Sequence, residues 1–402
     1  MEIPFTSSAR ASLGVEWELQ LVDVETRQLR SGATRILGAM RPPGAPEGWE
    51  HPHAKHELLE SCIEIVTGVC ADVSEAEADL ATSVATITRE AAAIGLAPLG
   101  AGSHPMTDWA TQEISPNPRY AKLIEDMQWL ARRLQIFGVH VHVGVRSPAK
   151  AIPIVNALTA YVPHLLALSA SSPYWIGTDT GLASCRSKVF EGLPTAGLPY
   201  QLSGWDQFEG LMGTLIESRT ISSIKEIWWD IRPHPTYGTV ELRICDGLPS
   251  LHEVGMIAAL SQCLVQRLDA QLDQGYTLPS PAGWITRENK WRAARHGLDC
   301  DIIVDDRGTT RPLRDEVADL AAELAPVARR LGCEEQLGRV EGLVARGPSY
   351  ARQRQVAAAS GGDLTAVVDA LLAEMASGVP LAAPALTLLA PVPVAVQQVT
   401  LS

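Results

Sequence analysis

No CxxC pair occurs in this chain: its seven cysteines, an odd number, are scattered at Cys62, Cys70, Cys185, Cys245, Cys263, Cys300 and Cys333. That indicates neither a zinc knuckle nor a disulfide framework, and reduced thiols are the simplest reading. A basic run is missing too. Against 33 Lys and Arg stand 46 Asp and Glu, a net charge of −13 with His neutral. Such a chain is a poor candidate for nucleic acid or an anionic membrane, and a polyanionic substrate would need a local cluster of Arg, Lys or metal. The most apolar run, 380–396, is interrupted by Pro384, Pro391 and Pro393 and is shorter than the ~20 residues of a spanning helix. The opening residues, MEIPFTSSAR, lack the basic-then-apolar layout of a signal peptide. A soluble, cytoplasmic protein is expected. There is no GxxxxGK[ST], no GxGxxG after a strand and no HExxH. P-loop and kinase-type nucleotide binding are thereby excluded, as is the HExxH class of zinc protease.

What is present is enough apolar material for a large core: 402 residues, 46% of them hydrophobic. Length alone would suggest two or three domains. The absence of an internal repeat, and of a linker before about 380, favours one domain over 1–380 with a Pro/Ala/Val-rich tail at 381–402. Four segments alternate with the period of a strand. In 228–246, WWDIRPHPTYGTVELRICD, Val240, Leu242 and Ile244 oppose Thr239, Glu241, Arg243 and Cys245. In 13–23, Val15, Trp17 and Leu19 oppose Glu16, Glu18 and Gln20; in 57–67, Ile63 and Ile65 oppose Glu60, Cys62 and Glu64. In 136–145, Val139, Val141 and Val143 oppose His140 and His142, which are flanked by Gly138 and Gly144. Helices are expected from Ser74, with Glu77 completing a capping box, to Gly95. Others are expected over 117–135, 148–171, 251–274, 288–297, 312–331 and 363–377. None of the strands is apolar on both faces. The expected class is therefore α+β: an antiparallel sheet with helices on its greasy face and its polar face left as a concave site.

One strand carrying a Glu and an Arg reads best as a solvated edge, and a lone strand His as a hydrogen-bonded core residue. Recurrence on four segments shifts the balance toward a site. Gathered together, the polar faces offer Glu16, Glu18, Glu60, Glu64, Glu241, His140 and His142, with Arg243 and Arg186 of similar role. That is too many carboxylates for a zinc hydrolase, which uses about three protein ligands and several His. An oxygen-rich set suits Mg²⁺ or Mn²⁺ bridging substrate phosphates. The class that remains is the ATP-dependent ligases without a P-loop. A metal-dependent amide hydrolase and a non-catalytic binding protein are the rivals from other classes.

Six stretches together carry a resemblance: GVEWE at 14–18, ELLESCIEIVTGVC at 57–70, FGVHVHVGV at 137–145, LALSASSPYW with TGLASCR within 166–186, WWDIRPHPTYGTVELRICDG at 228–247 and ENKWRAARHGLD at 288–299. In order and spacing the chain resembles the bacterial glutamate–cysteine ligase type 2 family, the carboxylate–amine ligases, to about residue 375. The resemblance implies the fold of the glutamine synthetase and glutamate–cysteine ligase superfamily, an antiparallel sheet curled into a half-barrel with helices outside. It implies ATP and two or more Mg²⁺ or Mn²⁺ ions. The implied reaction phosphorylates the γ-carboxylate of glutamate, and an amine, typically that of cysteine, displaces phosphate. By the same resemblance Glu16, Glu18, Glu64, His140 and Glu241 match metal ligands, Arg243 a phosphate- or substrate-handling arginine, and Arg186 a grip on the amino-acid carboxylate. His142, Trp228 and His234 are the further substrate candidates. On the helix from Glu288, Asn289, Arg292 and Arg295 are candidates for the nucleotide, Arg292 also for the acyl phosphate, against a solvated basic face as the alternative. Departures at Phe137, Cys185 and His234 leave open whether the accepted amine is cysteine or another. Self-association, with a dimer favoured, is expected of such relatives.

Overall fold

A central strand, β1 (Leu13–Asp23), organises the sheet, and its burial alternates residue by residue over its first half as the sequence requires. The computed structural model describes residues 1–8, 11–46 and 48–381. Within them β2 (Ala54–His56), β3 (Cys62–Val66), β4 (Leu96–Leu99), β5 (Val139–Gly144), β6 (Ile231–His234) and β7 (Thr239–Leu242) complete a seven-stranded sheet. The spatial order is β6-β7-β5-β1-β3-β2, with β4 paired to the far half of β1. Every pairing is antiparallel. Register follows from the apolar pattern, because a one-residue slip would turn each greasy side chain to the wrong face. Glu16 therefore lies opposite His140, Glu18 opposite Glu64, and Glu241 opposite His142.

The apolar faces of β1, β3, β5 and β7 are buried in one cluster with residues from helices Val73–Ala92, Pro148–Leu158 and Leu251–Asp273. Trp17, Leu19, Ile63, Val139 and Leu242 have no solvent exposure there. Each fully buried side chain of this size contributes roughly 1.5–3 kcal/mol relative to exposure. The α+β reading, antiparallel sheet with helices on one face, thus matches the structure.

Several local expectations change. The helix over 73–92 is capped by Asp72, whose carboxylate accepts the Glu75 N–H at 2.9 Å. Ser74 and Glu77, read as a capping box, instead accept from the Gln336 amide at 3.0 Å each. The stretch 117–135 breaks into Pro118–Met127 and Trp129–Arg132 because Gln128 adopts φ 46°. Pro148–Ser169 is apolar and long enough to cross a membrane, but it is mostly buried in the protein. It is also divided by a 3₁₀ turn, Thr159–Tyr161, next to Pro163, which has no N–H to bond residue 159 and crowds its carbonyl. Helix Gly283–His296 starts before Glu288, and helices Trp205–Glu217, Glu334–Arg346 and Ser349–Ala359 were not expected. Alternation in the last strand stops at Leu242, so Cys245 joins the apolar core beside Ile244 instead of facing the carboxylates. The expected tail falls, after Leu381, outside the described residues.

Because Leu19 sits between sheet and helices, Leu19→Ala should cost about 2–5 kcal/mol of stability. Chemical unfolding measures this; a loss below ~1 kcal/mol would mean that the site collapses around the deletion.

Candidate active site

The polar side of β1, β3, β5 and β7 gathers Glu16, Glu18, Glu64, His140, His142 and Glu241. Glu16 accepts from His140 Nδ1 at 3.1 Å and lies 3.3 Å from His142 Nε2. His142 is fixed from behind by a 3.0 Å bond between Nδ1 and Thr239 Oγ1. Glu241 receives two guanidiniums: Arg232 Nε at 2.7 Å and Nη2 at 3.3 Å, and Arg243 through Nη1. Glu18 accepts the Gly138 backbone N–H. Arg186, buried at the start of helix Cys185–Phe190, donates to the carbonyls of Arg243 and Ile244 at 3.3 Å each. Glycine is required at 138, since a Cβ there would collide with the Arg186 guanidinium and crowd His140 Nε2 at 3.1 Å.

Electrostatically the site divides in two. Burial opposes ionisation of Glu16, yet the bonds and charges of His140 and His142 outweigh it and hold the carboxyl well below its usual range. Glu241 is likewise held low: Arg232, Arg243 and His142 outweigh its burial. His142 answers with a raised pKa, burial being overcome chiefly by Glu241 and Glu16. The other half is acid without enough cation. Burial pushes Glu18 up to about 8, reinforced by repulsion from Glu57. Glu64 is raised well above its usual range by burial and then by Glu16, Glu57 and Glu18. Glu57 is raised by burial as well. Burial, and then Arg243, lowers His140 to about 4, so the ring is neutral at physiological pH. With Nδ1 donating to Glu16, its Nε2 lone pair is left on the Gly138 side.

Residues 12–370 match the glutamate–cysteine ligase family 2. The chain belongs to this family. A protein of Frankia alni with the printed name "Putative glutamate--cysteine ligase 2-1" is 58% identical over 95% of this chain and 100% of its own length. One of Thermobifida fusca, "Putative glutamate--cysteine ligase 2", is 54% identical over 94% of each chain. Among solved structures, the fold is similar to a glutamate–cysteine ligase of Francisella tularensis in complex with AMP, with TM-score 0.64, 13% identity and coverage of 93% of this chain and 94% of that one. A bifunctional glutathione synthetase of Pasteurella multocida gives TM-score 0.63 and 14% identity, over 92% of this chain and 53% of that one.

Not every residue singled out in the sequence of this family member reaches the site. Glu60 leaves it because β3 begins at Cys62; residues 59–62 form a turn, and the Glu60 carboxylate accepts from Thr34 Oγ1 at 2.6 Å. Glu57, from the same stretch, takes its place. Trp228 pairs through its backbone with Ala196, outside the seven-stranded sheet. His234 stacks on Tyr237 at 4.2 Å and meets His142 edge-on at 5.5 Å, at one end of the site. On helix Gly283–His296, Asn289 exchanges two 2.8 Å bonds with Ile303. Arg292 is held by Glu288 and the Asp301 carbonyl, and Arg295 by the Gly181 carbonyl. Only the Asn289 amide is fully engaged in these bonds; Arg292 and Arg295 each keep guanidinium N–H groups beyond them. Arg232 and Lys290 were missed. Lys290, 1% exposed, lies 2.5 Å from both Asp230 and Glu191, and the Asp230 carbonyl accepts the Arg243 N–H at 2.7 Å. Nothing local marks either residue, because their partners are distant or lie on a neighbouring strand.

The donor set suits a hard divalent cation. Ligand atoms of Glu18, Glu64 and His140 lie within 4.8 Å of one another, as do those of Glu16, His140 and Glu241. The first group is mostly carboxylate, and its burial and mutual repulsion outweigh the nearby arginines and Lys55, which fits Mg²⁺ or Mn²⁺.

The raised carboxyl of Glu18 makes a signed prediction for metal-free protein. The unfolded group ionises near 4.5 and the folded one near 8, so between those values the unfolded chain binds fewer protons and stability falls as pH rises. Glu18→Gln should therefore unfold at a higher temperature than the parent at pH 8 in EDTA, and at about the parent temperature at pH 4.5. Equal melting of the two at pH 8 would show that Glu18 is not held protonated.

Proposed function

We propose that the chain is an ATP-dependent carboxylate–amine ligase that joins L-glutamate to L-cysteine, giving γ-glutamylcysteine, ADP and phosphate. The observation that carries it is the juxtaposition of the acid trio Glu18, Glu57 and Glu64 with the buried Arg186 and the partly buried Arg243. Each arginine has an Nε–H without a partner among the described residues. A group that is both anionic and metal-bound answers both needs, and the ATP γ-phosphate is such a group. On this reading the polar side of the sheet is the inner wall of a half-barrel. Glu18, Glu64 and His140 would hold one ion, and Glu16 and Glu241 would border a second. Such ions, when bound, would supply positive charge to offset the charge that develops during phosphoryl transfer.

The protein's own groups supply position and charge. Arg243 is aligned by Glu241 and by its backbone bond to Asp230, which leaves Nε–H for a transferring phosphoryl oxygen. Arg186, braced on two carbonyls, offers its free Nε–H to a substrate carboxylate. The γ-carboxylate of glutamate attacks the terminal phosphorus of ATP and ADP leaves. The amine then attacks the acyl carbon of γ-glutamyl phosphate, loses a proton, and expels phosphate. His142, whose pKa Glu241 and Glu16 raise against its burial, lies beside the His234–Tyr237 stack. That pair of rings favours a second reading, the same chemistry with a different amine, because Tyr237 is 57% exposed and can border a bulkier acceptor.

Glu64→Gln is a cleaner test than a change at Glu241. Losing Glu241 would strand two buried arginines, at a cost of about 3–5 kcal/mol. Glu64 carries a burial penalty instead. In an ADP-release assay with Mg²⁺–ATP, glutamate and cysteine, Glu64→Gln should lower kcat by about 10²-fold or more without lowering the melting temperature. Near-normal turnover would remove Glu64 from the metal site. ADP formed with glutamate and another amine would keep the mechanism and change the acceptor; amide cleavage without ATP would favour a hydrolase.

A further inference from the structure

We propose a second ligand site, for a small organic cation with an apolar body, in the cavity between helices Val162–Ser169, Gly283–His296 and Leu313–Leu331. The cavity has a volume of about 750 Å³, and none of its lining residues belongs to the seven-stranded sheet. That size suits a small molecule with room to spare. Its apolar wall includes Pro163, Ile285, Ile302 and Leu320.

Two side chains give the wall an unmet polar demand. His164 is 5% exposed and Thr286 4%, both line the cavity, and His164 Nδ1 and Thr286 Oγ1 find no hydrogen-bond partner among the described residues. A buried polar atom without a partner carries a desolvation cost that a bound hydroxyl or amide would relieve. Asn289 also lines the space, but its amide is already committed to Ile303. Burial lowers the His164 pKa to about 4, so the ring meets a ligand as a neutral acceptor or donor.

The sign of the ligand follows from the rim. Five carboxylates line the cavity, including Asp306, Glu316 and Asp319, and Arg311 is the single guanidinium among the lining residues. Arg311 is shared, at 2.5 Å from Glu316 and 2.7 Å from Asp319. Arg267, reaching in from outside, pairs with Glu323 at 2.8 Å. Arg307 pairs with Asp305 at 3.4 Å, so the five lining carboxylates outnumber three guanidiniums, and that excess attracts an ammonium group and repels an anion. Helix Gly283–His296 separates this cavity from the Lys290–Asp230 ion pair that braces Arg243.

Isothermal titration of the whole protein with 2-phenylethylammonium, and with phenylacetate as its anionic counterpart, tests the assignment. The ammonium should bind saturably at one site and phenylacetate should not. Thr286→Val should weaken the ammonium about fivefold to tenfold if the probe is given a hydroxyl, as in 2-amino-1-phenylethanol. The same variant should melt no lower than the parent, since the hydroxyl it removes has no partner to lose. The pair of changes Glu316→Gln and Asp319→Asn should weaken both amines about tenfold. An absence of saturable amine binding, or affinities unchanged in both variants, would overturn the proposal. The Glu64→Gln assay is independent of either result.

Discussion

Repulsion among Glu16, Glu18, Glu57, Glu64 and Glu241 is the constraint on which the rest of the site depends. Buried charge of one sign is tolerated only when it is paired, protonated or metal-bound. The chain uses the first solution on one side. Arg232, Arg243 and His142 surround Glu241, and two histidines hold Glu16. On the other side Arg186 and Arg243 act on Glu18 and Lys55 on Glu64, but burial and mutual repulsion outweigh them and both pKa values are raised. The same sheet face therefore has a settled half and an unsettled half. Function on our reading centres on the unsettled half, and Glu16 and Glu241 border it from the settled one.

That asymmetry rests on apolar packing. The carboxylates can crowd because the opposite faces of the same strands are locked against helices by Trp17, Leu19, Ile63 and their neighbours. Relaxing the crowding by shifting register would expose those side chains, at more cost than the repulsion relieved. Lys290 braces the edge in another way, joining helix Gly283–His296 to Asp230 beside Arg243 through a buried ammonium.

Much of this was legible wherever the period of two persisted. β1 and β5 declare their faces without ambiguity, so Glu16, Glu18, His140 and His142 were placed together correctly. Legibility failed where a strand ended unannounced. Glu60 was assigned to the site because alternation was extended through a turn, and Cys245 was put on the polar face of its strand because alternation was extended beyond Leu242. Capping was misjudged at Ser74 because Asp72, two residues earlier, takes the Glu75 N–H and starts the helix first, and nothing local ranks the two. Asn289, Arg292 and Arg295 share a helix with a motif of the family, and the carbonyls of Ile303, Asp301 and Gly181 that each of them bonds come near only in the folded chain. Glu57, Arg232 and Lys290 went unmarked for the converse reason, since each acquires meaning only from a partner across the fold.

His140 and His142 show how little separates the two halves. They are two residues apart on one strand, share a face, and both touch Glu16. His142 stands opposite Glu241 and is driven toward the cation; His140 has Arg243 at 3.4 Å and is driven toward the neutral ring. A cationic His140 would donate from both nitrogens and could not ligate a metal. Burial sets most of that neutrality and the charge of Arg243 adds to it, so the imidazole at the boundary between the halves keeps a lone pair on the side where carboxylate charge is in excess.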